Sequence, residues 1–309
     1  MRTQTKDPRG SALVAVIWLI AILALASVAA LKVVAFDLDV ASAKINGFRA
    51  KQLAEMGIAL GANPAVERGD PILSQWSEEN DEGFEVKLVS EGGKFNINIL
   101  ASQEDKNLLK SMFIDWGLDI DQSAAVVDAL ADWVDPDDEE TLNGAEVAAY
   151  EEAGRVNQPF NRPFYNLEEM RLVRGMDLVE AYRPDWRSWF TIWSSGGLDI
   201  NEADPEMIAV AAEVTPEAAT IIPETVRGPD GIRDTDDDTP FRSLQEALAL
   251  LGVDPNLRPD ILARFTINDT TTRIESVGKA TGSRRKITLV VRNRTGQPAI
   301  LERTEEVIP

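Results

Sequence analysis

The sequence predicts an α+β protein: a long N-terminal helix on a small antiparallel sheet, with a large all-helical domain inserted into that sheet. Three observations lead there. An apolar run near the N-terminus continues, without proline, into a helical pattern that reaches about residue 60. Alternating apolar and polar residues mark strands at 84–90 and again at 272–293. Between them lie roughly 160 residues whose periodicity is helical, so one domain brackets another.

Composition restricts the chemistry. The chain has 309 residues, no cysteine and no histidine. Thiol catalysis, disulfides, Cys/His zinc sites and histidine-assisted nucleophiles are therefore excluded. The formal charge of −21 argues against nucleic acid as a partner, because phosphate contacts need clustered Lys and Arg. The same acidity suits a hard cation such as Ca²⁺.

The first element begins with a basic leader, Arg2, Lys6 and Arg9, followed by the uncharged run Ser11–Leu31. As a helix the run spans about 31 Å, the thickness of a bilayer core. The flanking cations keep the N-terminus in the cytoplasm and export the remainder. The run is too long for an ordinary secretory signal, so the generic reading is a single-pass anchor. From Lys32 to about Leu60 the helix continues, with Val34, Leu38, Ala41, Ile45 and Phe48 spaced 4, 3, 4, 3. This predicts one helix of about 75 Å, half in lipid and half packed on a soluble domain.

Further along, Phe84–Ser90 reads as a half-buried strand, Glu91-Gly92-Gly93 as a hairpin turn and Lys94–Ile99 as the return strand. Helices are expected at 104–116, 123–133, 167–174, 205–212, 216–226, 243–251 and 259–264. A second hairpin is expected at 272–280 and 285–293. The resulting division is a leader at 1–10, a membrane helix at 11–31 and the rest of the helix with the first strands at 32–98. The inserted domain takes 99–264, and the last strands and a tail take 265–309. Within the insert, "GKFNIN" (93–98) and "GGLDINEADPE" (196–206) form a weak repeat. Each precedes a helix that an Asn or Asp can cap, and each helix pair ends in an acidic loop. The pairs resemble helix-hairpin-helix units, but the acidic setting argues for a scaffold rather than DNA binding.

The first acidic loop, Asp132–Glu152, holds nine acids and no Lys or Arg. Such a loop either stays solvated or gathers round a cation. Asp135, Asp137 and Asp138, with Glu146, are the candidate calcium ligands. The spacing of Asp135 and Glu146 mimics an EF-hand, but Pro136 and Glu140 break that pattern. In the second loop, Gly228–Phe241, the candidates are Asp234, Asp236 and Asp238, with Gly231 available for a tight turn. The alternative function is a membrane-anchored periplasmic hydrolase or binding protein with acidic calcium loops, since paired acids run glycosidase chemistry. No acid in an apolar setting and no nucleophile motif is legible, and the tryptophans fall at apolar helix positions.

A short basic leader ending in glycine before a long apolar helix resembles the type IV pilin and pseudopilin class. In that class a prepilin peptidase cuts after the glycine, here between Gly10 and Ser11, and methylates the new amine. Most members carry Glu at the fifth mature position, where it pairs with the amine of the neighbouring subunit. Here that position is Ala15. An unpaired carboxylate in hydrocarbon costs about 2.5–3.5 kcal/mol or more, so its loss suits a subunit with nothing above it. The stretches "GKFNIN", "ALADWVDPDDEETLNGAE", "RPFYNLEEMRLVRGM" and "LDINEADPEMI" resemble the minor pseudopilin K family of type II secretion over nearly the whole chain. The resemblance implies a pilin-type fold in the bacterial inner membrane, with most of the chain in the periplasm. It implies a place at the tip of a short fibre with minor pseudopilins I and J, and H below them. There the subunit would initiate or cap the fibre that drives folded proteins across the outer membrane. It also implies no enzymatic activity, and structural calcium in the helical domain near Asp132–Glu146.

Overall fold

The computed structural model describes residues 9–103 and 106–308, with the side chains of the first helix from Leu13 onward. The leader residues 1–8 and the side chain of Ser11 lie outside the described residues; the backbone at Gly10-Ser11 is helical. Helix α1 runs unbroken from Arg9 to Gly61, about 80 Å. Among the described residues it is the one helix long and apolar enough to cross a membrane. Its large apolar residues from Leu13 to Leu38, Ala15 among the small ones between them, are exposed on all sides.

The second half of α1 does pack on a soluble domain, through a face other than the Val34–Phe48 stripe. Val34, Leu38, Ile45 and Phe48 all point outward, each more than half exposed. The buried face is instead Gly47, Ala50, Ala54, Gly57 and Ile58, ending at Gly61. The reason is closeness. A β-carbon on Gly57 would run into Ser276 and Val86, and one on Gly61 into Ile274. From the sheet side, a β-carbon on Gly278 would strike the backbone carbonyl of Ala50 and the amide nitrogen of Ala54. Small residues let two backbones meet where larger apolar ones could not fit.

The sheet has five antiparallel strands in the order β1-β2-β7-β8-β9. They are β1 (Ser74–Ser77), β2 (Glu82–Ser90), β7 (Thr271–Ala280), β8 (Ser283–Arg292) and β9 (Ala299–Ile308). Phe84, Val86, Leu88, Ile274, Ile287 and Leu289 cover α1 with their alternate side chains. Thr281 and Gly282, both at positive φ, make the two-residue turn between β7 and β8. Strand β9 was not expected, since 295–309 reads as a polar tail. The end of α1 is held by Arg294, whose guanidinium donates to the carbonyls of Gly61 (3.1 Å), Asn63 (2.7 Å) and Val66 (3.0 Å). These include carbonyl groups that the helix end leaves unsatisfied.

The sheet's direction along α1 follows from these contacts. Gly61 meets Ile274, Gly57 meets Ser276, and Ala50 meets Gly278. The β7–β8 turn therefore points back toward the exposed apolar half of α1. Ser90 pairs with Thr272 at the opposite, far end, and there the chain leaves the sheet and returns to it.

Glu91-Gly92-Gly93 is that exit, not a hairpin turn, and 94–99 is not a return strand. Two residues, β3 (Phe95–Asn96), pair in parallel with β4 (Phe190–Thr191), and α2 starts at Ile97. The insert therefore begins at residue 91 rather than 99 and ends near 270, because Phe95 and Ile97 belong to its core. Glu91 is fully buried at the junction. Burial pushes its carboxyl up, but Arg273 beside it and Thr191, which donates to it, hold it below the ordinary value.

The insert is helical, with α2 (Ile97–Ser102), α3 (Asn107–Asp115), α4 (Ile120–Val134), α5 (Val147–Glu152) and α6 (Met176–Tyr182) in its first part. Its second part holds α7 (Pro205–Ala212), α8 (Pro216–Ala219), α9 (Ile221–Val226), α10 (Leu244–Leu250) and α11 (Pro259–Leu262). A second parallel pair joins β5 (Leu198–Asp199) to β6 (Phe265–Thr266). Trp116, Trp133, Trp186 and Trp189 lie in the core. The repeat is visible in its hydrogen bonds. Asn98 exchanges two bonds with the backbone of Phe164, and Asn201 does the same with Phe241. Each phenylalanine follows an acidic loop, so each loop is closed against the start of its own unit.

The approach of α1 to the sheet yields a direct test. Gly278→Val places side-chain atoms against backbone that cannot rotate away. It is expected to cost about 3 kcal/mol or more in thermal or denaturant unfolding, whereas Gly282→Ala at the open turn should cost less. Arg294→Ala should cost about 1–3 kcal/mol by stranding the carbonyls at the end of α1.

Candidate functional site

The first acidic loop starts where α4 ends. Asp119 opens this helix with a full capping box, its carboxylate accepting from the Gln122 amide while the Gln122 side chain accepts from the Asp119 amide. The helix delivers Asp132 and Asp135 one turn apart at its C-terminus. Asp132 is fully buried and accepts from the amides of Thr141 and Ala145, the latter at 2.9 Å. Gly144 is required beside it, since a β-carbon there would run into the Asp132 carboxylate. Trp133 anchors the base of the loop edge-on to Tyr150 and Phe160, and stacked on Phe164.

Above this base several oxygens are buried without a protein partner. They are Oδ1 of Asp135, both carboxylate oxygens of Glu146, Oγ1 of Thr141 and Oδ1 of Asn161. Asn161 is oriented by its amide nitrogen, which donates to the Asp137 carbonyl (2.6 Å) and to Asp138 (2.9 Å). No Lys or Arg forms an ion pair with Asp132, Asp135 or Glu146 among the described residues. Burial, followed by the charges of Asp132 and Asp135, pushes Glu146 up to about 7. Burial, followed by Asp137 and Asp132, pushes Asp135 up to about 6. The expectation that no acid would sit in such a setting is thus corrected.

Sequence reasoning chose two of these residues and two neighbours. Asp135 and Glu146 lie in the group. Asp137 and Asp138 lie exposed beside it, with one oxygen each engaged: Asp137 Oδ1 accepts from the Glu139 amide and Asp138 Oδ1 from Asn161. Asp132, Thr141 and Asn161 were missed. The signal for Asp132 was its place one turn before Asp135, but nothing local marks Asn161, which arrives through a later loop. Among the described residues no three acids are gathered at metal-binding distance. Neutral oxygens would have to complete a coordination shell here, and Thr141 and Asn161 offer them. Hard oxygen donors with surplus negative charge fit Ca²⁺ rather than a soft metal.

The second loop is organised differently. Asp234 meets Arg68 and Arg233, each at 3.7 Å. Asp238 accepts from the Asp234 amide at 2.9 Å and lies 3.9 Å from Arg233, and Asp236 is exposed. Gly231 does take the positive φ of a tight turn. The expected cation site at Asp234, Asp236 and Asp238 is therefore not assembled, because two arginines already meet this charge. Arg68 and Arg233 also converge on Glu202, at 2.7 and 3.1 Å, and tie the segment after α1 to the insert.

The raised carboxyls give a pH dependence with a definite sign. In the metal-free protein Glu146 titrates near 7 against 4.5 for an ordinary carboxyl, so folding favours the protonated form. Stability should be greatest below about pH 4.5 for this group and should fall as pH rises to about 7. Glu146→Gln should flatten that slope in melting curves taken in chelator.

Residues 93–184 match the family model for type II secretion system protein K. No curated protein sequence matches the chain. A chain in the crystal structure of the GspK-GspI-GspJ complex from the enterotoxigenic Escherichia coli type 2 secretion system shares the fold. The TM-score is 0.61 at 14% identity, over 88% of this chain and 99% of that one. The chain is thus similar to type II secretion system protein K over residues 93–184, and it shares the fold of the related chain in its apolar stalk helix, antiparallel sheet and helical insert.

Proposed function

We propose that this chain is a minor pseudopilin that occupies the tip of the pseudopilus and initiates or caps the fibre. The observation that carries this is the place of the insert. It leaves and rejoins the sheet at the end farthest from the membrane-spanning half of α1. A body of about 180 residues there, roughly 30 Å across, fits above a fibre more readily than within it. Ala15 supports the same position, since a subunit with no neighbour above has no partner for a buried carboxylate.

The role is structural rather than catalytic. α1 anchors the chain in the inner membrane, with the N-terminus cytoplasmic and the bulk periplasmic. Processing by prepilin peptidase falls between Gly10 and Ser11. The neighbours are minor pseudopilins I and J, as in the solved complex of the related chain, with H below them. Their helices meet the stripe Val34, Leu38, Ile45 and Phe48, which this chain leaves uncovered. Calcium bound by Asp135 and Glu146, with oxygens of Thr141 and Asn161 beside Asp132, would offset the acidic charge of the first loop.

Three outcomes are expected. Intact mass of the membrane-extracted protein should show loss of residues 1–10 and a methyl group on Ser11 only when the peptidase is present. A chain still beginning at Met1 in both strains would overturn the pilin-like route to assembly. Phe48→Glu should abolish co-purification with I and J while leaving the melting temperature unchanged. Calcium at about a hundred times its dissociation constant should stabilise the protein by about 2.7 kcal/mol, and Glu146→Gln should remove most of that gain.

A further inference from the structure

β9 closes one side of the sheet, and among the described residues no strand lies beyond it. A free edge exposes backbone N–H and C=O groups, and proteins block it with short strands, charges, prolines, bulges or a covering segment. At the opposite edge β1 is short, with only four residues. β9 is long, with ten residues and neither proline nor lysine, and carries one bulge opposite Val290 and Val291. Three of its four charged side chains have partners: Glu305 pairs with Lys51, Arg303 with Glu55, and Glu302 accepts from the Trp193 indole at 3.1 Å. Ile300 and Val307 are 67% and 70% exposed.

We propose that β9 accepts a β-strand from a neighbouring pilin-like subunit, extending the sheet to six strands. This rests on the reading of the chain as one subunit of a mixed fibre tip. Continuity of the surface identifies the occupant. Phe48 lies three and seven residues before Lys51 and Glu55, on the same side of α1. The uncovered helix stripe therefore runs from the membrane up to the β9 edge. A subunit that lays its helix on the stripe brings the edge of its own sheet alongside β9.

A second copy of this chain does not fit. Antiparallel pairing of β9 with β9 would turn the two α1 helices head to tail, and both could not enter the same membrane in the same sense. Pairing β9 with the β1 of a second copy is parallel, and it offers four residues to a ten-residue edge. The partner is a different chain with a long free strand of its own.

The test is hydrogen exchange on the full-length protein in detergent, alone and in complex with the I- and J-type minor pseudopilins. Amides within 299–308 are expected to exchange at least about tenfold more slowly in the complex, as new backbone hydrogen bonds would require. A complex that forms with unchanged exchange at 299–308 overturns this inference and leaves the assembly reading standing. No complex at all overturns both. Thr304→Pro and Glu305→Pro provide a second route. Along a strand successive N–H groups point alternately to the edge and to β8, so one of the two variants spares the β8 pairing and keeps the melting temperature. That variant should bind the partners about tenfold more weakly. Undiminished binding rejects the strand pairing.

Discussion

Everything beyond the exposed apolar half of α1 depends on how closely that helix lies against its sheet. Gly278 carries no side chain where the backbone of Ala50 and Ala54 passes, and Gly57 and Gly61 return the favour from the helix. With backbones this near, the register along the helix is fixed to one setting, since sliding by a turn would drive a β-carbon into a main chain. That register decides which end of the sheet faces the apolar half of α1. It therefore decides where the insert emerges and which way β9 runs.

Charge is handled in three ways within one acidic chain. At the domain junction a buried carboxylate, Glu91, is matched by Arg273 and a hydroxyl, and its charge is kept. In the second loop two arginines gather Glu202, Asp234 and Asp238 and so join the segment after α1 to the insert. In the first loop, among the described residues, no Lys or Arg pairs with Asp132, Asp135 or Glu146, and carboxyl oxygens stay buried and unpartnered. Unmatched burial of this kind is costly to a protein alone, and it sets the first loop apart from the other two.

The parts legible in sequence were those written in periodicity or local capping. The stalk helix, strand β2, the β7–β8 hairpin and most helices of the insert were readable on that basis, while the short β1 was not. So was the duplication, because "GKFNIN" and "LDIN" each set an Asn at the same clamp. What failed was long-range. The stripe at Val34–Phe48 was readable as a stripe, but not which side of the helix met the sheet, because glycines and alanines give no hydrophobic signal. Residues 94–99 look like a strand because the short β3 and the apolar start of α2 run together. β9 hid behind its charges, which periodicity counts as solvent-facing while α1 and Trp193 supply their partners. The same limit applied to the site. Asp135 and Glu146 could be picked out from spacing, whereas Asn161 joins them only through the fold.

The junction at Ser90 and Thr272 has a mechanical consequence. The insert hangs from the adjacent ends of two neighbouring antiparallel strands. A tension pulling the insert away along the stalk draws both strands in the same direction, so β2 and β7 are not parted from each other. The load falls in shear on their contacts with α1 and with the flanking strands β1 and β8. Arg68, Arg273 and Trp193 add polar ties across the same junction. Force on the insert is thus shared by two strands side by side rather than carried by one.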